Sequence, residues 1–77
     1  MNKRNVDIEG NEYCFGFLPD TNGAFKIVKH FKNIRGYADI NREHINEMSA
    51  ASEIVNKLNE QIGVDKKEAL QITLSAL

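Results

Sequence analysis

The chain has 77 residues, enough for one domain but not for a large core, since so short a chain buries only about 60% of its unfolded surface. Its formal net charge of −1 argues against a generic nucleic-acid coat; one cysteine excludes an internal disulfide, and one cysteine with two distant histidines does not make the usual four-ligand zinc site. No apolar run approaches a membrane span, and Asp7 and Glu9 stand where a signal peptide needs apolar residues, so the expected location is the cytoplasm.

In chain order, the first expected element is a strand from Arg4 to Glu9, closed by a two-residue hairpin loop at Gly10-Asn11 onto a second strand, Glu12 to Leu18. That closure sets Ile8 opposite Tyr13 and Val6 opposite Phe15. A second turn signal, Pro19-Asp20-Thr21-Asn22-Gly23, leads into a third strand, Ala24 to Lys32. It sets Phe17 opposite Phe25 and Phe15 opposite Ile27. Because side chains alternate along a strand, both closures put the aromatic residues on one face.

Residues 33–48 form a connection that reads equally as a loop, a short strand or an early helix turn. The period then changes. Ala51, Ile54, Val55, Leu58 and Ile62 follow helical spacing, with Ser49 as N-cap and Gly63 just past the end. Asp65 and Glu68 have capping-box spacing, and a second helix runs from Lys66 to near Leu77 with Leu70, Leu74 and Leu77 on one stripe. The expected fold is a single α+β domain over 1–77: a three-stranded antiparallel meander (1–32), the connection, and a helical pair (49–77) packed on one face of the sheet.

Several chemistries can be weighed at this stage. The expected register brings Glu12, Cys14 and His30 together on the face away from the aromatics, a nucleophile, base and carboxylate set. Without a nucleophile elbow or an oxyanion turn, a plain surface cluster is the better reading, and no catalytic residue is assigned. Asp20-Thr21-Asn22-Gly23 echoes the start of a calcium loop but lacks its later ligands, so no metal is assigned. Phosphate-cradling glycine motifs are absent, and no cofactor is expected. Lys29 interrupts the aromatic face and is expected to snorkel at its edge.

Between Lys26 and Arg35 the chain carries Lys26, Lys29, His30, Lys32 and Arg35 with no acid among them. These are the candidate partner-binding residues, suited to a host protein with an acidic surface; Lys26, His30 and Lys32 point to the open sheet face by alternation. Leu70, Leu74 and Leu77 are the candidate self-association residues, with a homodimer as outcome. The competing reading is a nucleic-acid regulator that uses the basic strand, or the helical pair as a helix-turn-helix with Lys66, Lys67, Gln71 and Thr73 as readers. Against that motif, Asn59 sits where it packs a small residue, and an αα-hairpin serving packing is preferred.

The stretch Ile54-Val55-Asn56-Lys57-Leu58-Asn59-Glu60-Gln61-Ile62-Gly63-Val64, followed by Glu68-Ala69, resembles the C-terminal helical pairs of small accessory proteins from phages and conjugative elements. The resemblance covers about a quarter of the chain and carries no catalytic residues. It implies a small accessory or host-modulating protein, with inhibition of host defence as one form of that role; the absence of a surviving chemistry and the surplus of apolar surface make a non-catalytic protein-interaction module the expected function.

Overall fold

The computed structural model describes residues 5–40 and 44–77. Arg4 of the expected first strand and 41–43 of the connection lie outside the described residues. The fold is α+β: a three-stranded antiparallel sheet in the order β1-β2-β3, followed by two helices. β1 is Tyr13–Pro19, β2 Phe25–Phe31, β3 Ala38–Asp39, α1 Met48–Gln61 and α2 Lys66–Ser75.

The sheet differs from the expected meander at its first strand. Residues 5–9 contribute one isolated bridge, Val6 to Glu12, and Ile8 is fully exposed. Two local causes act together. The Asp7 carboxylate accepts the N–H groups of Glu9 and Asn11, and the Asp7 carbonyl accepts from Gly10, which closes a turn over 7–11 in place of the two-residue loop. These bonds, that from the Asn11 backbone above all, hold the Asp7 carboxyl below its usual range. The outer edge of β1 is also already occupied. Asn5 meets Tyr13, and the Asn59 carboxamide takes both Phe15 backbone groups, where Val6 was expected to pair.

The third strand instead comes from the connection. Ala38 pairs with Lys29 and Asp39 with Val28, while Ile45 exchanges backbone bonds of 2.7 and 2.9 Å with Phe25. The β1-β2 register places Phe17 opposite Ile27, Phe15 opposite Lys29 and Pro19 opposite Phe25. This is two residues away from the expected pairing, so every side chain keeps its expected face. The loop sets the shift: Asp20 N–H donates to the Ala24 carbonyl at 2.8 Å, which makes 20–24 the turn. Asp20 also accepts from Thr21 N–H and meets His44 Nε2 at 2.8 Å.

α1 begins two residues before the expected start, and Ser49 lies within its first turn. Gly63, with φ of +74°, ends it as expected. Asp65 caps α2 by accepting from Glu68 N–H at 2.8 Å.

The helices do not share a face. α1 covers the aromatic side, where Ile27, Ala51 and Val55 are buried among Phe15, Phe17, Phe25 and Leu58. α2 covers the opposite side, where Cys14, Val64 and Ile72 are buried with Ala69. Each helix packs on strands rather than on the other helix, so the pair forms neither an αα-hairpin core nor the packed corner of a helix-turn-helix. The face expected to stay open is apolar at Cys14, Gly16 and Val28, and that strip requires a cover. The loop after β2 latches α2 in place: Asn33 N–H donates to Ser75 Oγ and Gly36 N–H to the Ala76 carbonyl, both at 2.9 Å.

Candidate functional site

The basic residues between Lys26 and Arg35 do not assemble into one charged surface. His30 is 6% exposed beneath α2. Lys26 Nζ lies 3.5 Å from Asp39 and bonds the Tyr37 hydroxyl, a bond that raises its pKa. Lys32 lies 3.4 Å from Glu12. Lys29 stands on the other face, 4.6 Å from the Tyr13 ring centroid and 5.8 Å from that of Phe15. A cation–π contact therefore explains how an ammonium sits at the rim of the aromatic face. Arg35 is exposed in the loop between β2 and β3.

Glu12, Cys14 and His30 are likewise separated in role. Cys14 and His30 are directly opposite in the register, but Glu12 is engaged by Lys32. The Cys14 thiol is fully buried and turned to α2, 3.5 Å from the Ala69 carbonyl and 3.6 Å from Thr73 Oγ1. Burial pushes its pKa up, which holds it as the unreactive thiol. Iodoacetamide should label Cys14 in the native protein at least about a hundredfold more slowly than in the unfolded chain, because reaction waits for local opening. A native rate equal to that of a free thiol, read by mass spectrometry, would overturn this placement. Among the described residues no cluster of His, Cys, Asp and Glu is arranged to hold a metal ion, and no helix is long and apolar enough to cross a membrane.

The feature the structure does assemble is a cleft. α1 and α2 straddle the edge of β1 from opposite faces, and the chain turns between them at Gly63-Val64. Asn59 pins this corner with bonds of 2.7 and 3.1 Å to the Phe15 N–H and carbonyl. Past that anchor the helices leave a groove of about 600 Å³ along β1. Phe17 and Leu18 of β1, Val55 of α1, Val64 of the turn, Leu70 of α2 and Leu77 just past its end line it. His30 also reaches it, its ring packed against Gly16, and its Nδ1 has no hydrogen-bond partner among the described residues.

Beside the groove, α2 presents an apolar ridge. Ile72 and Ala76 face inward, at 1% and 3% exposure, whereas Leu70, Leu74 and Leu77 are 58%, 57% and 78% exposed. The leucine stripe was legible from its spacing. The groove was not, because its floor and walls come from separate elements. Two signals pointed to it: Asn59 one helical turn after Val55 on an apolar stripe, and Gly16 amid aromatic strand residues.

Comparison with protein-family models, curated proteins and solved structures gives no match.

Proposed function

We propose that the chain is a non-catalytic protein-interaction module, a small phage or mobile-element accessory protein that modulates or inhibits a host protein, and that it docks through the leucine ridge and the groove beside it. The exposure of Leu70, Leu74 and Leu77 carries this reading. Leucines repeating along α2 and just past its end, where Ile72 and Ala76 are already buried on the inner side, offer apolar surface beyond the needs of the core. The basic strand contributes less, since Lys26 and Lys32 each have an acidic neighbour. The nucleic-acid alternative, through the helical pair or the basic strand, has less support, because each helix packs mainly on strands and Lys26 and Lys32 each have an acidic neighbour.

The test is affinity capture from a bacterial lysate with wild-type chain and the double variant Leu70→Glu/Leu74→Glu, followed by titration of the purified captured protein. The variant should fold, as read by circular dichroism, and bind at least about a hundredfold more weakly. Charge reversal at Lys26 and Lys32 should leave affinity within about threefold of wild type, as surface charges with local partners contribute little. Equal binding by the leucine variant would sink the proposal.

A further inference from the structure

Resting on the reading of ridge and groove as a protein-docking surface, we infer that the part of the partner that fills the groove is a short extended segment of consecutive apolar residues, added as a strand to the free edge of β1. β1 is an edge strand of the sheet. Backbone groups alternate in direction along a strand, so Tyr13, Phe15 and Phe17 all turn their N–H and C=O away from β2. The first two are already met. Tyr13 N–H donates to the Asn5 carbonyl at 2.9 Å, and the Tyr13 carbonyl accepts from Asn5 Nδ2 at 3.1 Å. Phe15 is held by the Asn59 carboxamide. Phe17 comes next in the row and lines the groove, and its outward N–H and C=O have no partner among the described residues.

Partial charge selects the occupant. A donor and an acceptor side by side are complementary to the acceptor and donor of a peptide main chain, and Asn59 already supplies that pair to Phe15 from a side chain. One residue of an antiparallel strand exchanges both bonds with Phe17. The site is short, because Asn59 closes it on one side and Pro19, which has no N–H, closes it on the other. Side chains of the added strand point alternately to the two walls. The residue opposite Phe17 shares its face and meets Val55 on the α1 side, and its neighbours turn to Leu70 and Leu77. A strand covered on both faces reads as a continuous apolar run, so the segment is about three or four valines, isoleucines or leucines in succession. The edge lies between α1 and α2, where an extended chain reaches it and a folded surface does not.

The experiment is an amide-resolved NMR titration of the full chain with a capped peptide of about four alternating valines and isoleucines between terminal lysines. A second peptide replaces the isoleucines by serine, and a third carries an N-methyl group on every apolar residue, which keeps the side chains and removes the donors. The first peptide should bind with a Kd of about 1 mM or tighter, move the Phe17 amide proton downfield and slow its exchange with solvent. The serine peptide, and the first peptide on Leu70→Glu, should each bind about tenfold more weakly. N-methylation should weaken binding by about tenfold or more, since the Phe17 carbonyl then has no donor. Absence of binding would overturn the inference, as would a Phe17 amide unmoved by bound peptide or an N-methylated peptide that binds as well as the first. A captured host protein that needs Leu70 and Leu74 but leaves the Phe17 amide unmoved ends the strand addition alone. Capture indifferent to those leucines ends the docking reading itself.

Discussion

Replacing Asn59 by alanine should lower stability by about 3 kcal/mol and the melting temperature by about 12–24 °C, the largest single effect expected in this chain outside wholesale core deletions. The carboxamide is 5% exposed and satisfies two backbone groups of an edge strand at once. Each would otherwise be left beside α1 with no strand to pair it. An unsatisfied buried donor or acceptor costs about 1–3 kcal/mol, and water entering the groove recovers part of that for the carbonyl. Asn59→Asp separates hydrogen bonding from packing. It keeps the shape and the acceptor for Phe15 N–H but sets a carboxylate oxygen against the Phe15 carbonyl. It should therefore be nearly as damaging as alanine at neutral pH, and less so in acid, where a protonated carboxyl regains a donor. Thermal unfolding at two pH values decides the matter: an aspartate variant as stable as wild type at pH 7 would reduce Asn59 to a space-filling role.

Gly16→Ala should cost about 2 kcal/mol, although an alanine is ordinarily worth about 0.5–1 kcal/mol more than glycine inside a strand. A Cβ on Gly16 would lie 2.9 Å from both Cδ2 and Nε2 of His30. The imidazole is 6% exposed and borders the groove, so the alanine can be accommodated only by turning the ring out of its packed position. The clash should vanish when the ring is removed. In a double-mutant cycle with His30→Ala, the Gly16→Ala penalty should fall to near zero or reverse sign, giving a coupling of about 1–3 kcal/mol. Additive penalties, measured by urea unfolding, would show that Gly16 is required for its backbone rather than for the approach of His30.

Both residues show why part of this protein was legible in one dimension. Alternation in Tyr13-Cys14-Phe15-Gly16-Phe17 assigned each side chain to its face, and a pairing error of two residues left those assignments intact because the strand period is two. Helical spacing from Ala51 to Ile62, Gly63 after it and Asp65 at the next N-cap located both helices to within two residues. The same spacing marked Leu70, Leu74 and Leu77 as one stripe. These are local properties, set by backbone geometry and burial pattern along neighbouring residues.

The partition of the helices was decided by tertiary structure alone. Each amphipathic helix announces that it needs an apolar surface, but not which one. Tyr13, Phe15 and Phe17 present an obvious surface, whereas Cys14, Gly16 and Val28 make a weaker one that only a second helix completes. Burial of that second side moved His30 from a docking surface to the interior, and the sheet's geometry set Lys26 and Lys32 beside Asp39 and Glu12. A run of basic residues in sequence therefore does not become a basic patch in space, since the neutralising partners arrive from other strands. The first strand failed for the same reason. Val6 and Ile8 have the pattern to pair with β1, but Asn59, more than forty residues away in the chain, reaches Phe15 first. Competition for a single strand edge is settled by which groups the whole fold brings there, and no local pattern records that contest.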